Sequence, residues 1–598
     1  MRNFQIVVAL IALSGMCLAA PAPSDGEPAA RKHHAAKPAK RDETAEKLRQ
    51  LKEMVDQQQA ALQQMQQQLQ QTQQQLQQTQ QQLSQTQQTA QQADAKIATV
   101  ETNSNLQVQR VQSDLTDVKT ALNTTTQTAQ KAAKGVTELE HPPTIAYKGI
   151  RITPGGFLEL TGIFRSRATL SDQATPFQTI AVGNQPNTKL TEFQFTARDS
   201  RIILRADADA GQTKLTGYYE MDFFGTGPTS NPNQTTSYNP RIRQAWGRAK
   251  FANGWTITGG QMWNLITLNR KGTDADNANL WIPNIIEASY SVGYDWGRFA
   301  EIRVSKSIGS NASLALGLAN PSYLNSGANN LVGGLASNGA GLLGNSLVST
   351  CTSTVPVTCT NTPTYSTNLA PDMVVKLAVD EPKLGHYEVK ALGRFFRDRV
   401  LPTATVAGYN NTDLGYGFGG GAVVPVVPKK VDFIVQGMWG KGISRYEDAG
   451  QFDFVVRSTD HNLQPVKSFS VLAGIETHPT RRTELDMIFG DEYYYRTTYI
   501  AAGGVIAGYG APTLVNTGCF FENAAQAPGG VLPTCSANNR NLWNGKVVGY
   551  YDLYKGPYGT LRYGAEADYI SRRTWSGVGG APKGNDTTVF TTMRYIFP

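Results

Sequence analysis

Lys214-Leu215-Thr216-Gly217-Tyr218-Tyr219-Glu220-Met221-Asp222-Phe223 and Thr560-Leu561-Arg562-Tyr563-Gly564-Ala565-Glu566-Ala567-Asp568-Tyr569 decide how this chain folds. In the first, Leu215, Gly217, Tyr219, Met221 and Phe223 alternate with Lys214, Thr216, Tyr218, Glu220 and Asp222. In the second, Leu561, Tyr563, Ala565, Ala567 and Tyr569 alternate with Thr560, Arg562, Gly564, Glu566 and Asp568. A period of two predicts strands with one apolar or aromatic face and one charged face. A soluble sandwich alternates too, with its polar faces outward around a shared core. Connectivity separates the two.

By the same alternation, strands are expected at 156–168, 191–208, 213–224, 241–251, 255–263, 298–308, 312–320 and 371–380. The series continues at 384–400, 411–425, 428–440, 465–477, 480–497, 541–555, 557–574 and 586–597, which makes 16. Tight turns such as Ala210-Gly211, Gly309-Ser310-Asn311 and Gly556-Pro557 alternate with long connections at 264–297, 321–370 and 498–540. An even strand count, short turns on one side and long loops on the other predict a transmembrane antiparallel β-barrel. Ile285 to Tyr294 also alternates, but a strand there would put 321–370 on the short-turn side. We therefore read 264–297 as the third long loop.

The 598-residue chain exceeds one ordinary domain. No apolar run of 18 or more residues occurs, which argues against membrane-spanning helices but not against a barrel. Net charge is +8; 14 of the 55 basic and 13 of the 47 acidic residues precede Ile145, so the surplus sits in the C-terminal unit. It is too dilute for a nucleic-acid binder. Residues 1–19 read as a signal peptide: Arg2, the apolar Ile6 to Leu13, then Cys17-Leu18-Ala19 before cleavage. Lipidation of Cys17 is the alternative, although Met16 stands where a lipoprotein signal needs a small residue. Residues 20–41 are a flexible basic linker.

From 42 to 140 the pattern is heptad. Leu48, Val55, Leu62, Leu69, Leu76, Leu83, Ala90 and Ile97 recur every seventh residue among glutamines. A companion series three positions on holds Leu51, Gln58, Met65, Thr72, Thr79, Thr86, Ala93 and Val100, predicting an α-helical coiled coil. Val108, Val111, Leu115, Val118 and Leu122 continue it after a stutter. The polar members weaken the seam, and His141-Pro142-Pro143 ends it. Four cysteines remain in the barrel region; their close spacing predicts Cys351–Cys359 and Cys519–Cys535 bonds, each clipping a long loop, with cross-pairing between the two loops as the alternative.

Residues 145–598 resemble the trimeric 16-stranded porins of Gram-negative outer membranes, the DcaP-like group with an N-terminal coiled coil above all. The resemblance is carried by Gly155 to Gly162, Arg241-Ile242-Arg243-Gln244-Ala245-Trp246-Gly247, Gly260-Gln261-Met262-Trp263, Leu314 through Pro321 and Pro371 to Val375. Met593-Arg594-Tyr595-Ile596-Phe597 looks like the terminal assembly signal of such barrels, with Pro598 a departure from it. The resemblance implies a homotrimer in outer-membrane lipid, insertion by the barrel-assembly machinery and an inward-folded third loop. It also implies passive passage of small hydrophilic, anionic solutes.

No G-x-S-x-G elbow, phosphate loop or H-E-x-x-H stands in the sequence, so no enzyme, cofactor or metal is expected. Asp274-Ala275-Asp276-Asn277 begins like a calcium loop but lacks the next ligand and glycine. Alternation directs Arg165, Arg167, Arg201, Arg205, Lys214, Glu220, Asp222, Arg303, Arg394, Arg562 and Glu566 into the lumen. Arg270, Lys271, Asp274 and Asp276 are constriction candidates on the third loop. Charged rings set ion selectivity, and the basic surplus points to weak anion preference. The alternatives to a porin are a structural tether, with the periplasmic coiled coil and basic arm on the cell wall, and a surface receptor or adhesin.

Overall fold

The computed structural model describes residues 144–225, 238–324, 347–351, 359–363, 368–400, 406–460 and 462–598, with a few positions between 115 and 126. The chain divides into two compact units, Met1–Glu140 and His141–Pro598. In the first, Leu115, Thr116, Val118, Lys119, Leu122, Thr125 and Thr126 are α-helical. The signal segment, the linker and the main heptad run lie outside the described residues.

Among the described residues of the second unit the barrel strands are β1 (Ile150–Arg165), β2 (Glu192–Thr196 and Arg201–Ala210), β3 (Thr213–Gly225), β4 (Asn239–Lys250), β5 (Trp255–Trp263), β6 (Arg298–Ile308), β7 (Ala312–Ala319) and β8 (Asp372–Glu381). They continue as β9 (Gly385–Val400), β10 (Tyr409–Val427), β11 (Val431–Lys441), β12 (Lys467–Thr477), β13 (Thr483–Tyr494), β14 (Asn539–Gly556), β15 (Gly559–Thr574) and β16 (Lys583–Ile596). Each pairs antiparallel with the next, and β16 returns to β1 from Phe157↔Ile596 to Arg165↔Thr588. The 16 strands therefore close into a barrel without a free edge. Ile145–Tyr147 folds back on the start of β1 as a short flap. Residues 264–297 contain no strand, only a single 3-10 turn at Asn277–Asn279, so this segment is a loop.

Alternation holds along most strands, and its apolar face looks outward. Leu158, Leu204, Ile302, Leu316, Val375, Val389, Phe418, Ile475, Met487 and Val547 are all exposed there. A soluble protein would bury this belt; around a closed barrel it is the surface that hydrocarbon wets. The inward face carries Thr161, Glu220, Arg303, Lys376, Glu388, Gln436, Glu492, Lys546 and Asp568, all buried.

Several strands carry irregularities, and those of β2 and β4 bear on which side chains reach the lumen. β2 breaks at residues 197–200, where Ser200 N–H returns to Ala197 O (3.2 Å). In β4 the pairing slips, with Glu220 opposite Gln244 but Met221 opposite Ile242. Arg243 is the extra residue of a β-bulge. Arg241 and Arg243 thereby turn inward on one side of the bulge, and Gln244, Trp246 and Arg248 on the other.

The seventh long loop, 495–538, is clipped by a Cys519–Cys535 bond with Sγ–Sγ 2.02 Å. In the fourth, the backbone of Leu347–Cys351 pairs with Cys359–Pro363, which sets Cys351 opposite Cys359. Peptide mapping without reduction is expected to recover both links. Mutating Cys519 and Cys535 together to Ser should cost roughly 3 kcal/mol through the freed loop. Alkylation of any of the four thiols before reduction would contradict this pairing.

Candidate functional site

The third loop (L3, residues 264–297) does not lie over the barrel mouth but crosses its interior. Its apolar residues Leu268, Leu280, Trp281, Ile285, Ile286, Tyr290 and Tyr294 form one buried cluster with Ile434 of β11, Leu472 of β12 and Ile488 of β13. Val423 of β10, Val548 and Tyr550 of β14, Phe590 of β16, Ile163 of β1 and Trp263 of β5 complete it. These wall positions face inward, where a water-filled lumen would expose them. Burying each is worth ~1.5–3 kcal/mol, so one side of the lumen is sealed by apolar packing. The approach is close. A Cβ on Gly490 of β13 would stand 1.7 Å from Val292 O, and one on Gly293 (φ 82°) 2.1 Å from Val471 O.

Polar ties complete the attachment, and they run both ways: Lys376 and Lys390 of the wall donate to Thr267 O (2.7 Å) and Ile266 O (2.8 Å) of L3. Wall carboxylates accept N–H groups of L3: Glu388 from Asn269 N (3.0 Å), Asp380 from Gly272 N (3.0 Å) and Glu492 from Gly293 N (2.8 Å). Glu566 accepts from both Ile286 N and Glu287 N, and Glu476 accepts from Trp281 Nε1 (2.9 Å). Arg270 reaches across to Glu476 and to Asp432 (3.6 Å). Six acids of the inner face (Asp380, Glu388, Asp432, Glu476, Glu492 and Glu566) thus hold the loop.

On the β1–β6 side, water-accessible space remains as two basins. The one toward the long loops, about 410 Å³, is lined by Arg241, Arg243, Arg298, Arg445, Trp296 and the 447–450 segment. The one toward the short turns, about 400 Å³, is lined by Arg151, Arg205, Asp207, Lys214, Arg248 and Asp274 among others. Arg201 stands between their levels on β2, part-exposed and stacked on Phe157 (5.1 Å). In the lower basin the two signs are exposed alike, but toward the upper one the cations stand forward of the acids. Arg241 is 40% exposed while its partner Asp222 is 0%; Arg201 is 23% exposed while Glu220 is 1%. Arg298 packs on Trp263 (5.2 Å) and Trp296 (5.4 Å), and among the described residues no carboxylate lies in ion-pair range of it. Glu447 and Asp448, in the sixth long loop, are the acids of the upper basin. Burial, then the charge of nearby Glu492, pushes both carboxyls well above the ordinary range, which favours their neutral form.

Between the basins, Asn277 at the tip of L3 bridges to β3 and β4. Its Nδ2 donates to Tyr218 Oη (2.9 Å) and Glu220 (3.1 Å), and its Oδ1 accepts from Gln244 (2.9 Å). This is the closing contact of the crossing.

Of the residues the alternation directed inward, Arg201, Arg205, Lys214, Glu220, Asp222 and Arg562 do line the inner face. Arg562 there meets Asp552 (2.7 Å) and Glu484 (3.1 Å). Arg303, Arg394 and Glu566 also point inward but are sealed from water. Arg303 ties Thr273 O (3.1 Å) and Trp263 O (2.6 Å) at the root of L3. Arg394 joins Asp372 (3.2 Å), Asp453 (2.6 Å) and Gly442 O under the sixth loop. Arg165 is buried beneath the first loop against Ser171 O (2.9 Å) and Glu192 (3.0 Å). Arg167 requires a correction: it faces outward. β1 ends at Arg165, and it is Ser166 Oγ that meets the inward Asp586 (2.7 Å), so parity reverses and Arg167 reaches Asn585 on the outer surface (2.7 Å).

The loop candidates divide likewise. Asp276 pairs with Arg205 and with Arg248 (3.4 Å), and Asp274 with Arg248 (2.9 Å). These acids neutralise wall arginines directly instead of facing them across open water. Lys271 is exposed. Strict alternation missed Arg241 and Arg243, because the bulge inverts parity above Gln244. It missed Arg151, because β1 starts earlier than its apolar run.

No family model and no curated protein of related sequence matches the chain. Solved structures do. The outer membrane channel DcaP of Acinetobacter baumannii matches 76% of this chain and 100% of its own at 13% identity, with a TM-score of 0.50. OmpF of Salmonella typhi matches 76% of this chain and 100% of its own at 9% identity and 0.38. OprB of Pseudomonas putida matches 74% and 94% at 10% identity and 0.36. The first of these shows the fold.

The Asn277 bridge gives a direct test. Asn277→Ala is expected to raise single-channel conductance, since the bridging contacts vanish while the apolar packing of L3 stays. Gly490→Leu should instead dislodge the loop and cost ~1–3 kcal/mol in overpacking. Unchanged conductance in Asn277→Ala would place the narrowest point elsewhere.

Proposed function

We propose that the chain is an outer-membrane porin, a passive channel for small hydrophilic anions. The observation that carries the reading is a closed barrel with an outward apolar belt whose lumen L3 narrows to basic-lined basins. The long loops face the exterior and the short turns the periplasm. An anion entering the upper basin meets Arg241, Arg243 and Arg298, then Arg201, then Arg205, Arg248 and Lys214. Arg201 and Arg205, four residues apart on one strand, are about 13 Å apart, so at the ~8 Å Debye length of physiological salt the anion passes from the field of one group to that of the next. Partial neutralisation by Asp207, Asp222, Asp274 and Asp276 keeps binding weak enough for release. The likeness to the Acinetobacter channel supports this reading.

In this reading the N-terminal heptads form a periplasmic coiled coil that helps three copies assemble, with barrel–barrel contacts supplying most stability. Removing residues 42–140 should leave detergent-resistant trimers on native electrophoresis; monomers alone would reverse that division.

Reversal potential across a tenfold KCl gradient tests the ion preference. The native channel should favour chloride. Arg241→Gln with Arg298→Gln should lower the anion-to-cation permeability ratio roughly fivefold, the Boltzmann factor of the ~1 kcal/mol between unit charges at about 4 Å in water. A cation-selective native channel, or no shift in the double variant, contradicts the proposal. The preference should also fall as pH rises, because Glu447 and Asp448 then ionise in the upper basin. Glu447→Gln with Asp448→Asn should flatten that pH dependence.

A further inference from the structure

The outer surface of β15 and β16 carries a charged feature that a channel does not need. At their long-loop ends Arg573 and Lys583 stand directly opposite each other in the ladder, both exposed and both pointing away from the lumen. Like charges in that position repel each other. Arg540 from the end of β14 and the outward-turned Arg167 join them around one cleft region. Among the described residues none of these cations has a carboxylate in ion-pair range. Asp491 on β13 affects Arg573 only at a distance, and its Oδ1 is taken by Asn541 Nδ2 (2.6 Å). Arg167 donates to Asn585 Oδ1 (2.7 Å) and Ala181 O (3.4 Å), which are neutral partners.

The cleft, about 620 Å³, has an amphipathic floor. The rings of Trp543 and Tyr569 sit 5.5 Å apart on its outward face. Below them exposed Val547 and Tyr551 continue the apolar belt. Aromatic rings at this level mark a membrane–water boundary. The cations just above them therefore lie at headgroup depth, at the long-loop end, open sideways toward lipid.

We propose that this cleft binds a phosphate of an outer-leaflet glycolipid, with Arg573 and Lys583 holding the phosphate and the Trp543–Tyr569 pair packing on the junction of sugar and acyl chain. The anion removes the repulsion between the two opposed cations, and in poorly hydrated surroundings such charge-assisted bonds are the strong kind. The proposal rests on the outer-membrane reading. Its position selects the occupant: a free anion would have no use for the aromatic floor, and a second barrel would have to bring acids to this rim.

The test uses the full-length chain in detergent, with lipid A and its dephosphorylated form as probes and native mass spectrometry as the readout. Phosphorylated lipid A should bind about tenfold more tightly than the dephosphorylated form, and Arg573→Gln with Lys583→Gln should abolish that difference. Arg573→Lys, which keeps the charge, should retain most of it, and heat-modifiable mobility on electrophoresis shows that the variants are folded. Equal binding of both lipids, an unchanged preference in the double variant, or displacement by inorganic phosphate alone would overturn the proposal. So would Lys583→Cys cross-linking barrel to barrel with no lipid retained, which would mean that a second copy covers this face. Conductance of the same preparations separates the two readings: a barrel that conducts without selecting phosphorylated lipid sinks only the lipid site.

Discussion

Backbone N–H groups of L3 donating into carboxylates of the barrel wall are the contacts on which the character of the lumen depends. Asn269, Gly272, Ile286, Glu287 and Gly293 each direct an N–H at an acid carried by the wall. A loop lying inside a barrel has no ladder to complete, and its buried amides need acceptors. The wall supplies them as charged oxygens, which bind more strongly than neutral ones. The consequence is electrostatic. Acids and bases are nearly balanced in the sequence; anchoring the loop takes up wall acids and also Arg303, Lys376 and Lys390, while Arg201, Arg205 and Arg241 stay in contact with water.

Apolar packing fixes where the water goes. Trp281, Ile285, Ile286 and Tyr294 fill the lumen against Ile434, Leu472, Ile488, Val548 and Phe590, so the β11–β16 side is closed. The space that remains runs along β1–β6, where Arg201, Arg205, Arg241 and Arg248 stand at successive heights. The bulge at Arg243 adds to that row by turning Arg241 and Arg243 inward above Gln244. A lumen of this form is eccentric, and its electrostatics are set by one wall rather than by a symmetric ring.

Much of the fold is legible in the sequence because a barrel enforces period two and loop alternation over its whole length. The sixteen strands and the reading of 264–297 as a loop come from that constraint. Side-chain direction near strand ends is not legible in the same way. One extra residue reverses it, as at Arg243 and at Ser166, and nothing in a single sequence announces a bulge. The docking surface for L3 did leave a signal. Phe433-Ile434-Val435, Val471-Leu472, Met487-Ile488-Phe489, Val547-Val548 and Val589-Phe590 are apolar on consecutive residues, hence on both faces. A water-filled lumen has no use for that, whereas a loop packed inside does. The partners of Asp274 and Asp276 were beyond reach, because they depend on how far the loop travels.

Cysteine accessibility from within the open channel tests the account most directly. Arg201→Cys lies on the open wall, and Leu472→Cys lies beneath L3. During a bilayer recording, a water-soluble thiol reagent should react with the first and step the current down, while the second stays unmodified until the protein is unfolded. Rapid modification of Leu472→Cys with an unreactive Arg201→Cys would mean that ions pass on the far side of the loop, and that the lumen is not divided as described.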